Sequence, residues 1–284
     1  MRLSKVLIAY PLLFSLCLFF SGCGFLFFYP QKQLHDNLVA RLFSPEDVYF
    51  ETPDKLTLHG WFFRAENKDA RATILVLHGN AENLSTHVNS VLWLIREGFN
   101  LFIFDYRGYG KSQGSPSIEG VCLDAEAALK TLLSLPYVDK EQIIVLGQSI
   151  GGAIAVYTVA NTPYKDRIAA LIIDSAFSSY RGIAREKLAQ FFITWPLQYP
   201  LSYLVGDSYS PIRWIGKVSS VPVLIIHGDK DSVVPMHHGR MLYEAARDPK
   251  EFWETTTPGH VMSFADADVR ERLVRYLTVK LQEK

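Results

Sequence analysis

The chain has 284 residues, 49% of them hydrophobic and 20% charged, with 29 basic residues against 29 acidic ones. That composition is enough to bury one sizeable core and excludes a disordered chain, and the even charge excludes the broad basic field that nucleic acid or an anionic bilayer would require. Three cysteines, Cys17, Cys23 and Cys122, contain no CxxC pair and offer neither a zinc site nor a disulfide framework.

The first element is not part of a globular core. Arg2 and Lys5 precede an uncharged apolar run from Val6 to Phe20, the layout of a secretory signal, so export is expected. Phe20-Ser21-Gly22-Cys23 then resembles a bacterial lipobox, with Phe20 standing where leucine is usual. The resemblance implies a signal over residues 1–22, lipid on Cys23 and a tether over residues 23–42. The apolar sequence nevertheless continues through Gly24-Phe25-Leu26-Phe27-Phe28-Tyr29, where lipoproteins usually carry a polar tether. A second reading is therefore an uncleaved anchor over residues 6–29, since a spanning helix needs ~20 apolar residues and the flanking cations would hold its start in the cytoplasm. A plain cleaved signal is the third. All three place the folded part outside the cytoplasm, and the first two hold it at a membrane.

The folded domain is expected over residues 43–284. Asp47 to Thr52 and Leu56 to Phe63 flank the Pro53-Asp54-Lys55 turn and read as an edge hairpin. Continuous apolar runs follow at Ala72 to Leu77, Asn100 to Asp105, Gln142 to Leu146, Ile168 to Ile173 and Val221 to Ile226, the signature of strands buried on both faces of a parallel sheet. Helical patterns at Ser85 to Glu97, Ile118 to Leu135, Ile150 to Asn161, Met236 to Ala246 and Asp266 to Lys280 mostly alternate with them, and Glu251 to Thr255 supplies a last strand. Alternation of this kind implies right-handed crossovers and an α/β fold with a mainly parallel, doubly wound sheet. Between Ser175 and Ser219 an aromatic-rich insertion interrupts the rhythm. Structureless loops of that length are uncommon, so it reads as a helical cap, about 177–216, over the C-terminal edge of the sheet. Its aromatics would form either a small core of their own or an apolar cage for an acyl or aryl group.

The chemistry-bearing residues lie at strand ends. Gly147-Gln148-Ser149-Ile150-Gly151 joins an expected strand to an expected helix. A serine hydroxyl is a weak nucleophile that must be exposed at a sharp turn beside a base, and the glycines remove the side chains that would clash there. Leu77-His78-Gly79-Asn80 ends another strand, and its glycine would let the Asn80 N–H, or failing that the Ala81 N–H, join the Ile150 N–H as an oxyanion hole. His227-Gly228-Asp229-Lys230-Asp231 places two carboxylates, Asp229 and Asp231, at the sheet edge where open α/β folds bind ligands. His260, after the last strand, is the candidate base, and the order serine, acid, histidine is that of α/β-hydrolases. His78 and His227 stand in His-Gly turns where a structural role is expected. His237 and His238 open a helix with no acidic residue at a spacing that completes a metal site, and His35, His59 and His87 have no catalytic context. No metal or organic cofactor is expected.

His78-Gly79-Asn80-Ala81-Glu82-Asn83, Asp105-Tyr106-Arg107-Gly108-Tyr109-Gly110-Lys111-Ser112, Gly147-Gln148-Ser149-Ile150-Gly151-Gly152 and His227-Gly228-Asp229-Lys230-Asp231-Ser232-Val233-Val234-Pro235 together resemble the Bem46-like branch of the α/β-hydrolase superfamily, from about Phe43 to the C-terminus. The resemblance implies an α/β-hydrolase fold, a triad of Ser149, Asp231 and His260, with the acid four residues beyond the His-Gly histidine rather than at Asp229, and often an N-terminal membrane anchor. It implies no substrate. The expected reaction is hydrolysis of a small carboxylic ester with an apolar acyl or aryl group. Thioester or peptide cleavage by the same triad, and an idle surface lipoprotein with a binding role, are the alternatives. The Tyr-Arg-Gly-Tyr-Gly loop reads as tight-turn architecture.

Overall fold

Apolar runs rich in β-branched residues pack well from both sides of a pleated surface, and here they become the strands of one sheet. A computed structural model describes residues 27–67 and 69–284, so the expected signal, the lipobox-like segment and Cys23 lie outside the described residues. The strands are β1 Tyr29–Pro30, β2 Glu46–Glu51, β3 Thr57–Phe63, β4 Ala72–Leu77, β5 Ala81–Glu82, β6 Phe99–Asp105, β7 Ile143–Gln148, β8 Ile168–Asp174, β9 Val223–Gly228 and β10 Lys250–Thr255. The longer helices are α1 Ile118–Ser134, α2 Ile150–Asn161, α3 Tyr180–Ala189, α4 His237–Ala245 and α5 Ala267–Gln282.

Eight strands form the sheet in the order β10-β9-β8-β7-β4-β6-β3-β2. The β2–β3 hairpin closes one edge and β3 runs antiparallel to β6, while all pairings from β6 to β10 are parallel. Alternate side chains serve opposite faces. Leu75 and Leu77 of β4 belong to the core shared with α1, α2 and α4, whereas Ile74 and Val76 belong to the core shared with Leu84 to Ile95 and α5.

This topology fixes where a site forms. The chain leaves β4 for β6 on one side and crosses to β7 on the other, so β4 and β7 flank the point where strand order reverses. A crevice opens there beyond the carboxyl ends of the strands, and His78 and Ser149 follow directly on those two ends.

Three expectations change. The helix expected over Ser85 to Glu97 is broken into helical turns at Leu84–His87, Val88–Ser90 and Trp93–Arg96. The Ser90 hydroxyl donates back to the His87 carbonyl and also bonds Gln148, competition with the helical ladder that serine is prone to. Next, the domain starts earlier than residue 43. Phe28 and Ala40 are buried, Tyr29–Pro30 pairs with Ala81–Glu82, and the Asn37 side chain bonds the Ser85 carbonyl. Residues 27–42 thus pack on the domain instead of forming a free tether, and the last residues of the 6–29 anchor reading belong to the fold. No helix among the described residues is long and apolar enough to cross a membrane.

The third change concerns the insertion between β8 and β9. Phe177 and Tyr180 are buried in the main core, and Tyr209 and Trp214 pack on Tyr157 of α2 with centroids 4.8 and 5.0 Å away. Phe191, Phe192, Trp195, Tyr199 and Tyr203 are exposed. They form neither a core of the cap nor a cage over the Ser149 cleft, whose lining includes none of them, and the helical turns after α3, Trp195–Leu197 and Gln198–Ser202, are short.

Candidate active site

Strand β7 ends in a turn that the backbone makes under strain. Ser149 has φ 56° and ψ −121° and caps the N-terminus of α2, a region non-glycine residues avoid unless the surroundings hold them there. The neighbouring glycines make the turn possible. A Cβ on Gly147 would lie 2.4 Å from the Gly151 carbonyl oxygen, and one on Gly151 would lie 2.0 Å from that of Leu77. The Ser149 N–H is bonded to the Asp174 carbonyl at 2.8 Å, which ties the turn to β8.

The structure brings the three side chains singled out in the sequence into one relay. Ser149 Oγ is 2.8 Å from His260 Nε2, and His260 Nδ1 is 2.7 Å from Asp231 Oδ2. The other Asp231 oxygen accepts the N–H groups of Val233 and Val234, each at 2.9 Å. Burial alone would raise the Asp231 carboxyl, but the bonds from His260, Val234 and Val233 outweigh it and hold it below the ordinary value. Asp231 is therefore an ionised, oriented acceptor. Asp229 is exposed at the start of the same loop, its N–H bonded to the Thr255 carbonyl, and has no contact with His260 among the described hydrogen bonds.

The two residues expected to supply oxyanion amides both lie beside Ser149. Ile150 is the first residue of α2, so its N–H belongs to the orphan donors at the positive end of a helix. Asn80 lines the cleft beside Ser149 and His260. A peptide C=O and its following N–H point in opposite directions, so whatever holds the Gly79 carbonyl aims the Asn80 N–H. That group is His78, whose Nδ1 donates to the Gly79 oxygen at 2.7 Å. The Asn80 carbonyl in turn accepts the Tyr29 N–H at 2.9 Å and the Tyr109 hydroxyl at 2.6 Å, which sets the Ala81 N–H. The Tyr106 hydroxyl bonds the His78 carbonyl at 3.1 Å. The Tyr-Arg-Gly-Tyr-Gly loop is thus more than turn architecture: both of its tyrosines buttress the loop carrying Asn80.

The cleft encloses about 510 Å³, within the range of small-molecule sites. Asn80, Ala81, Glu82 and His87 line one side of it, and Val261, Met262, Phe264 and Arg270 the other. No residue of the cap lines it.

The remaining histidines sort by their partners. His227 Nε2 donates to the Val234 carbonyl, and His59 pairs with Asp47. His35 bonds the Gln31 side chain. His87, without context in the sequence, lines the cleft, stacks on His78 with centroids 5.0 Å apart and bonds the Ala81 carbonyl. His238 is buried, and the acidic partner that the local sequence lacks comes from the cap: Glu186 lies 3.1 Å from His237 Nε2 and 3.2 Å from His238 Nε2. The His238 ring also accepts the Ser178 N–H on Nδ1, which places its proton on Nε2, donating to Glu186. In that tautomer the group is a hydrogen-bonded clasp between α3 and α4, with no lone pair on His238 Nε2 for a metal.

A mainly parallel sheet with a serine on the strand-to-helix turn, facing histidine and aspartate, defines the class of α/β-hydrolases, and the chain belongs to that superfamily. Residues 68–204 match the family described as serine aminopeptidase, S33. The chain is 36% identical over 257 residues to the protein YfhR of Escherichia coli K12, covering 88% of this chain and 86% of that one. It is 34% identical over 232 residues to WAV2, an α/β hydrolase domain-containing protein of Arabidopsis thaliana, covering 78% and 72%. Among solved structures, the esterase Pf2001 of Pyrococcus furiosus shares the fold with a TM-score of 0.72 at 22% identity, covering 89% of this chain and 99% of that one.

Proposed function

We propose that the protein is a membrane-tethered serine hydrolase that cleaves carboxylic esters through an acyl-enzyme. The observation that carries this reading is the relay from Asp231 through His260 to Ser149 at a strained turn. His260 takes the Ser149 proton as Oγ attacks the ester carbonyl, Asp231 stabilises the imidazolium, and the amides of Asn80 and Ile150 hold the oxyanion. Collapse breaks the ester C–O bond and His260 protonates the leaving alkoxide. Water, activated by His260, then attacks the acyl-enzyme and releases the acid with Ser149 restored. The apolar side of the cleft, Val261, Met262 and Phe264, suits an apolar acyl or aryl group.

Covalent labelling by a fluorophosphonate tests the nucleophile. Wild type labels and Ser149→Ala does not; equal labelling of the variant overturns the assignment. The family description favours a second reading, release of an N-terminal residue from a peptide. The two separate in rates on esters, thioesters and aminoacyl amides, and a preference for aminoacyl amides replaces the ester reading. For the tether, the Cys23 reading expects metabolic acyl label that Cys23→Ser abolishes. Label retained by the variant assigns attachment to another residue.

A further inference from the structure

The cap carries a surface that the reaction does not use. From Leu188 to Gly206 the sequence contains no charged residue, and Phe191, Phe192, Ile193, Trp195, Tyr199 and Tyr203 within it are 58% to 93% exposed. Side chains that hydrophobic are normally scattered singly on a soluble surface; one continuous segment of them marks an interaction site. The cleft at Ser149 does not include them, and no other part of the described chain covers them.

The chain's own N-terminal end says what covers them. Phe27, the first described residue, packs against Phe177 and Tyr180 at the root of the cap, with centroids 6.4 and 5.1 Å away. The adjoining residue Arg181 places its guanidinium 4.9 Å from the Tyr203 ring, and Arg185, one turn on, lies 5.4 Å from the Tyr199 ring. The apolar N-terminal sequence therefore joins the fold beside the helix against which the exposed segment folds back. Any membrane held by that sequence lies within reach of the cap. Trp and Tyr are the residues that prefer a bilayer's interface, and the exposed Arg185 sits among them to meet anionic headgroups, while the part-buried Arg181 bonds the Val205 carbonyl and holds the segment in place.

We propose that this uncharged cap segment is a bilayer-docking face, seated in the interface of an anionic phospholipid membrane. It is the second attachment point beside the N-terminal one, as stable peripheral binding requires two signals. The inference rests on the tether proposed above. Docking fixes the domain's orientation and holds the cleft at a constant height over the lipid, so substrates dissolved in the membrane are favoured over freely diffusing ones.

The test uses the full-length protein in vesicles of phosphatidylcholine and phosphatidylglycerol, with acyl-chain-brominated phosphatidylcholine as quencher. The expected result is co-flotation with the vesicles and bromine quenching of a tryptophan component that Trp195→Phe removes. The variant Phe191→Ser/Phe192→Ser/Ile193→Ser, at exposed positions outside the cleft, should keep wild-type activity on a soluble short-chain ester. It should lose about tenfold or more on an ester dissolved in the vesicles. Flotation without quenching of Trp195 overturns docking and leaves the tether standing. Failure to float removes the tether, and docking with it. Shielding of Trp195 from an aqueous quencher in lipid-free solution, together with concentration-dependent self-association, overturns the proposal in favour of a second copy of this chain.

Discussion

At the scale of single residues, two carboxylates in different surroundings have opposite consequences. Asp231 is paired with His260 and held ionised, while Asp229 is exposed in the same loop. Asp231→Asn keeps the shape but offers an amide to His260 in place of a charge, so kcat should fall by roughly 10³ to 10⁴. Asp229→Asn should change it less than about twofold, the usual scale for an exposed position; steady-state rates with the two purified variants decide, and the reverse ranking moves the acid to Asp229. Asp105 differs again. Its Oδ1 accepts the Leu84 N–H at 2.7 Å, its Oδ2 has no partner, and His78 Nε2, also unpartnered, lies 3.6 Å from Oδ1. Burial raises the Asp105 carboxyl to about 7 from 3.8, with the Leu84 N–H opposing the shift. Between those values the folded chain holds a proton that the unfolded chain has released, so this group makes stability fall as pH rises, by up to a few kcal/mol in all. Asp105→Asn keeps an acceptor for Leu84 and has no carboxyl proton to lose. Thermal unfolding from pH 5 to 8 should show wild type losing stability relative to this variant, and parallel pH profiles would mean that Asp105 is ionised throughout.

Among elements, the loop after β6 shows how a marker sequence supports a site at a distance. Arg107 is buried between two carboxylates: Asp124 of α1, with its side chain fully buried, at 2.8 Å and Asp54 of the β2–β3 turn at 2.9 Å. It pins the loop whose Tyr106 and Tyr109 hold the carbonyls of His78 and Asn80. Arg107→Met leaves the buried Asp124 carboxyl without its cation, with only the backbone N–H of position 107 still bonded to it, and stability should fall by about 3–5 kcal/mol, read as a lower urea midpoint at unchanged slope. Arg107→Met combined with Asp124→Leu should recover part of that loss, and no recovery would mean that the arginine acts through packing alone. None of this coupling is legible in the sequence, because a hydrogen bond between residues about 30 positions apart leaves no periodic trace. The parallel strands are legible, since a run such as Ala72–Leu77 is buried on both faces and has no polar alternation to confuse it. The turn at Ser149 is legible for a similar reason, as Gly147 answers a clash with Gly151 within five residues of chain, although the clash that Gly151 avoids is with the distant Leu77 carbonyl. The break at Ser90 and the Glu186 clasp depend on partners such as Gln148 and His238, supplied by distant elements. The exposed aromatics mislead because composition reports that a side chain is apolar and not what it faces.

For the whole molecule, one sheet is shared by two cores. Leu75 and Ile74 are neighbours in β4 that bury into opposite faces, so loss of either face strips the same strands. Such an arrangement should unfold as one cooperative unit. Cys122 provides the reporter. It lies on α1, buried against the sheet, and burial first, with Asp124 and Glu119 adding to it, pushes its thiol far above the ordinary value. Reactivity requires thiolate and access, and the folded chain denies both. With Cys17 and Cys23 replaced by serine, the chain carries this thiol alone. In detergent without denaturant it should react with a maleimide only at the rate of global unfolding. Along a urea series, labelling should appear at the same midpoint as the loss of circular dichroism and of fluorophosphonate labelling at Ser149. Labelling of Cys122 at lower urea than either would mean that α1 opens while the sheet and active site persist, and the single cooperative core would give way to two units of separate stability.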